Sequence, residues 1–139
     1  GAYDCGGRSV GLGISLPFEP GVNKYVTPEL AFEFHYFFTR KYWFLYTCKA
    51  VVYFPGGFGT MDELFEALTL IQTGKSREVP VILVGHEFWR QALNLEFLRD
   101  EGLISPEDVN LIKVVDTADQ AWQEIVEHYE ITPGQCPRC

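Results

Sequence analysis

Nine consecutive residues, Pro55-Gly56-Gly57-Phe58-Gly59-Thr60-Met61-Asp62-Glu63, constrain this chain more than any other feature. Residues 50–54, just before them, form a compact apolar run with two valines and two aromatics, which reads as a parallel strand buried on both faces. After them Leu64, Phe65, Leu68 and Ile71 recur at helical spacing, predicting a helix over 61–73 closed by Gly74. A strand that becomes a helix within a few residues restricts the chain to a sheet with helices on its faces. Three glycines among residues 55–59 allow positive φ and leave backbone N–H groups uncovered. With the helix N-terminus, those donors form an anion site that needs no lysine. The pattern is neither GxxxxGK[ST] nor GxGxxG. The same glycines also suit a tight connection with no ligand, and Thr60 with Glu63 forms a capping box, so the turn alone leaves both readings open.

The rest of the chain repeats the alternation. Residues 9–16 read as a strand, with Val10, Leu12, Ile14 and Leu16 alternating, while Gly11 and Gly13 predict close backbone approach. Residues 17–28 hold three prolines and read as a loop. Phe32, Phe34 and Tyr36 alternate with Glu33 and His35 as in a strand; beyond Thr39 the positions Trp43, Phe44 and Tyr46 fit a helix. Thr39 is then the cap, and Arg40 and Lys41 fall in the first turn. Basic residues there oppose the helix dipole, a conflict that an anion would relieve. Strands at 79–85 and 111–115 follow, with helices at 88–101 and 117–129, a short turn or helix opened by Ser105-Pro106, and a capping box at Thr117 and Gln120. The order predicts one domain over 1–130, an α/β fold with a doubly wound parallel sheet, followed by a tail at 131–139. Such sheets bind ligands beyond the carboxyl ends of their strands, where Arg40 and the turn at 55–60 fall.

Composition excludes several function classes. A net charge of −8 argues against a nucleic-acid binder, since such binding draws on Lys and Arg neutralising phosphates. Every apolar stretch falls short of the roughly 20 residues of a membrane span, and the first residues lack a secretory pattern, so the expected location is cytoplasmic and off the membrane. The four cysteines show no disulfide framework; Cys136 and Cys139 have ligand spacing but no second pair, so no metal is expected. His35 reads as a structural histidine, Asp62 as a helix-dipole residue, and Gln72 with Thr73 as lining a subunit contact or a substrate-facing end rather than the phosphate pocket.

The strings PGGFGTMDELFEALTLIQTGK, YFFTRK and SVGLGISLP closely resemble the Lonely Guy (LOG) family of cytokinin-activating phosphoribohydrolases, also labelled "possible lysine decarboxylase", and especially bacterial nucleoside 5′-monophosphate nucleosidases. The hallmark PGGxGTxxE is complete and ends at Glu63, and Arg40-Lys41 matches the family's Arg-Lys pair. The resemblance runs from Gly1 to about Gly85. It implies a Rossmann-like fold and hydrolysis of the N-glycosidic bond of a nucleoside 5′-monophosphate, of AMP or cytokinin type, without a cofactor. Gly56, Gly57, Phe58, Gly59 and Thr60 would hold the 5′-phosphate, with Lys41 as a further contact, and Arg40 and Glu63 would be catalytic. It also implies that this chain is the C-terminal portion of the domain, lacking its first strand or strands, the first glycine loop and a family carboxylate. A phosphate cradle without that loop can bind and do no chemistry.

Family members are dimers or larger, and the cluster at 32–46 carries more rings than a small sheet buries, so a homo-oligomer is expected. The alternative function is a non-catalytic carrier of a nucleotide or the molybdenum cofactor. A decarboxylase would need a pyridoxal-phosphate lysine, and nothing marks Lys24, Lys41, Lys49 or Lys75 as one.

Overall fold

The computed structural model describes residues 1–15 and 22–132. Leu16, residues 17–21 of the expected loop, and the Cys136/Cys139 tail lie outside the described residues. The chain divides into two compact units, one spanning Gly1–Thr47 and one spanning Cys48–Pro133.

The first unit contains β1 (Gly11–Ile14), a 3-10 turn (Pro28–Leu30), β2 (Ala31–Phe34) and α1 (Phe37–Thr47). β1 and β2 are parallel, with Leu12 opposite Phe32. The glycines of β1 admit side chains rather than a neighbouring backbone: a Cβ on Gly11 would lie 2.4 Å from a Val22 methyl, and one on Gly13 would lie 2.8 Å from the other. Ser9 and Thr27 close the approach to β1 reciprocally, since Ser9 N–H donates to Thr27 Oγ1 at 2.9 Å and Thr27 N–H to the Ser9 carbonyl at 3.2 Å.

Thr39 is not the cap of α1. The helix begins two residues earlier, and the Thr39 hydroxyl donates to the Tyr36 carbonyl at 2.7 Å from within the first turn. The strand β2 correspondingly stops at Phe34, before Tyr36. Rings at both types of spacing made this boundary illegible, because consecutive aromatics satisfy a period of 2 and a period of 3.6 together.

The second unit is a parallel sheet in the order β3 (Val51–Tyr53), β4 (Val81–Val84), β5 (Ile112–Val115). Helices α2 (Phe58–Gln72), α3 (His86–Ala92), α4 (Leu95–Asp100) and α5 (Ala118–His128) follow its strands. Central β4 has Val81, Ile82 and Leu83 essentially inaccessible. Ile82 clusters with Val115 and Ala121, backed by Val84 and Ile125, so α5 covers that face. Val81 and Leu83 alternate to the other face by the pleat, and both faces are therefore filled, as the doubly wound reading requires. In β3 the two-faced burial fails: Val51 and Tyr53 are buried, whereas Val52 is exposed. β3 is an edge strand of its sheet, which explains the difference.

The helix expected over 88–101 is two helices. Asn94 interrupts it, its Oδ1 accepting the Phe97 N–H at 3.0 Å as the cap of α4. Polar capping by a side chain competes with continuation of the helix. The box at the start of α5 forms as read from sequence, with Thr117 Oγ1 accepting from Gln120 N–H and Gln120 Oε1 accepting from Thr117 N–H.

Candidate functional site

The glycine turn joins β3 to α2, and the helix starts sooner than its apolar spacing suggested. Gly57 is the N-cap, and Phe58 is the first helical residue. Thr60 therefore lies inside the helix, and no Thr60–Glu63 capping box caps it; Gly57 has no side chain with which to cap. Met61 N–H to the Gly57 carbonyl, at 3.1 Å, is the first bond of the ladder. The N–H groups of Phe58, Gly59 and Thr60 precede it and point out of the helix end.

Positive φ is not what the glycines supply. Among the described glycines it occurs at Gly6, Gly74, Gly85 and Gly102, none of them in the turn. Absence of a Cβ is the requirement. A Cβ on Gly56 would lie 2.1 Å from Thr60 Oγ1, so the turn folds back on the first helical turn only with glycine there. Around Gly57 and Gly59 a Cβ would meet nothing within 4 Å, which leaves the backbone donors open on that side. The first turn of α2 carries no carboxylate, so the positive end of the helix dipole is not offset by a local acidic side chain. Phe58 is almost fully exposed at 96% and contributes its N–H, its ring standing clear of the unit.

Glu63 lies on the inward side of α2. Thr60, Glu63, Leu64 and Ala67 share a face at helical spacing, and Leu64 and Ala67 are core residues. Phe65, expected on the apolar face, is instead exposed. One carboxylate oxygen of Glu63 and one of Glu66, a turn further on, are shielded from solvent. Asp62 is past the first turn and exposed, so the dipole role read for it does not hold.

Sequence reasoning missed Tyr53. Its phenol, at the last residue of β3, donates to the Glu63 backbone carbonyl at 3.0 Å. Burial first, and then the charges of Glu63, Cys48 and Glu66, push its ionisation well above the usual tyrosine range. A hydroxyl-bearing ring inside an otherwise apolar strand was the available signal.

Next along the same sheet edge, Gly85 comes against the turn, since a Cβ on it would lie 3.6 Å from Pro55 Cγ. Asp116, just past β5, accepts the His86 N–H at 2.9 Å and lies 2.9 Å from His86 Nδ1. The backbone bond from His86 is the main reason its carboxyl is held below the ordinary carboxylate range.

In the first unit, Arg40 Nε donates to the Leu12 carbonyl at 2.7 Å, which ties α1 to β1; Lys41 follows it, partly buried. His35 is exposed, edge-on to the Tyr36 ring at 4.6 Å, and is not a buried structural histidine. Gln72 is exposed too, and donates to Asp108 Oδ2 at 2.6 Å. That bond is the first cause of the lowered Asp108 pKa, and it anchors the 3-10 turn Glu107–Leu111 to the end of α2.

A parallel α/β sheet with a PGGxGTxxE turn at a strand's carboxyl end is the arrangement that the family comparison bears on. The model of the family described as "possible lysine decarboxylase" matches residues 1–125. The chain belongs to this family, the LOG family. A comparison with curated proteins finds no match. The LOG match reaches beyond Gly85 to include α3, α4, β5 and most of α5. The mixed α/β structure with parallel strands fits a Rossmann-like LOG fold. Neither Cys5 nor Cys48 is in a disulfide. Among the described residues no helix is long and apolar enough to cross a membrane.

Proposed function

We propose that this LOG-family chain hydrolyses the N-glycosidic bond of a nucleoside 5′-monophosphate, releasing the base and ribose 5-phosphate. The observation that carries the reading is the first turn of α2. The space beside Gly57 and Gly59 is open, no acidic side chain occupies that turn, and Glu63 follows on the inward face with one oxygen shielded.

A phosphate at Gly56 to Thr60 would be held by backbone donors and by the helix dipole, and would fix one end of the substrate. As the bond between the ribose and the base breaks, positive charge builds on the ribose ring, and water adds at the same carbon. Glu63 stabilises that charge or holds the ribose hydroxyl or water. A carboxylate partly withdrawn from water does this better, because the local dielectric is lower. Arg40 binds phosphate or assists the departing base; the guanidinium suits both. Lys41 is a further phosphate contact. The chain is proposed to work as one domain over residues 1–130, in the cytoplasm, and as a homo-oligomer.

Incubation with AMP, followed by chromatography of adenine and an assay for ribose 5-phosphate, tests the reading. Release of both by the wild-type protein is the expected outcome. Glu63→Gln should fold as wild type and lose at least about a hundredfold in turnover, the usual scale for a catalytic acid or base. Retained turnover in that variant would remove Glu63 from the mechanism. Binding without any release of base would instead favour a carrier.

A further inference from the structure

The turn is fixed at two places, and only one of them belongs to the family hallmark. Gly56 and Thr60 make the inner contact, where the glycine hydrogen leaves room for the threonine hydroxyl. The outer one spans ten residues: Tyr53 Oη, at the last position of β3, donates to the Glu63 carbonyl at 3.0 Å. Everything between these two residues is the glycine turn and the first part of α2.

We propose that Tyr53 is a positioning residue, whose hydroxyl sets the span between the phosphate-holding turn and Glu63. This rests on the reading of the turn as a phosphate site. The phosphate contacts come from the backbone of residues 56–60, and Glu63 lies beyond them on the helix. A substrate bridging the two feels their separation, and the phenol fixes the second point to the strand from which the turn departs. Three features suit the ring to this. It is 7% exposed, so its position is set by packing. Its oxygen meets a main-chain atom of Glu63, so it governs where the residue sits. Its proton stays in place, since burial and the neighbouring carboxylates both oppose ionisation.

Two ligands separate positioning from general stiffening. Inorganic phosphate reaches only the turn, whereas ribose 5-phosphate reaches the turn and Glu63. In the full chain, Tyr53→Phe keeps the ring and removes the bond. Calorimetry should show ribose 5-phosphate weakened about three- to tenfold, the usual worth of one hydrogen bond, with phosphate affinity unchanged. Loss of both affinities in parallel would mean that the bond merely stabilises the turn, and no change in either would mean that it does nothing; each overturns the assignment. Should Tyr53→Phe fail to fold, Tyr53→Leu is read on the same pair. A wild-type protein that binds neither ligand would defeat the phosphate-site reading and Tyr53 with it. A wild-type protein that binds both yet leaves AMP intact would defeat only the hydrolase reading, and the two affinities would still decide Tyr53.

Discussion

Gly56 and Gly57 are neighbours of the same type with different reasons for being glycine. At Gly56 an added methyl would meet the Thr60 hydroxyl at 2.1 Å and its Cβ at 2.8 Å. Gly56→Ala must therefore push the turn away from the helix, and should cost about 1–3 kcal/mol, the range for overpacking. At Gly57 the methyl would meet nothing within 4 Å, and φ there is −91° rather than positive. Gly57→Ala should change stability by no more than about 0.5 kcal/mol in urea melts, while covering the donors and weakening phosphate binding. An equal loss of stability in the two variants would contradict the distinction. The hallmark was legible as a string of letters, but the division of labour within it was not, because it depends on which atoms the folded turn brings near each Cα.

Among the elements, the helix ends were the most readable. Gly74 takes the left-handed conformation at φ 66°, with Gly74 N–H reaching the Ile71 carbonyl and Lys75 N–H the Leu70 carbonyl, a Schellman ending of α2. At the start of α5 the box is complete, and Thr117→Ala should lower stability by about 1 kcal/mol in thermal or urea melts. A side-chain cap depends on residues three apart, so sequence carries it. The starts of α1 and α2 were misread because their caps do not: Gly57 caps α2 with no side chain, and Thr39 sits inside α1. The Asp116–His86 link at the ends of β5 and β4 joins residues thirty apart and had no sequence signal. Because the folded Asp116 pKa is depressed, its contribution is present above the ordinary value of 3.8 and is lost as pH falls through the folded pKa. Asp116→Asn should therefore be less stable than wild type near neutral pH, with the gap closing below about pH 4. Both groups are exposed, so added salt should shrink the gap as well.

At the scale of the molecule, the aromatic helix α1 is conspicuous. Phe37, Phe38, Tyr42, Trp43, Phe44 and Tyr46 are all exposed, and Leu45 is its buried residue. Light scattering at micromolar concentration should give a dimer or larger species; a monomer would leave this apolar surface in water and remove the oligomer reading.

Sequence by itself determined the class of fold and the family. Alternating strands and helices, and a turn with an ordered set of residues, are local properties, and local spacing survives in the letters. It also placed Glu63 on a helix just beyond a phosphate-type turn, since three or four residues on a helix is a fixed geometry. Only the tertiary structure decided that the turn's glycines serve closeness and openness rather than positive φ, that β4 rather than β3 is buried on both faces, and that Tyr53 reaches Glu63. Each of these is a contact between residues separated along the chain, set by how side chains fill space between the strands and helices, and no periodicity records it.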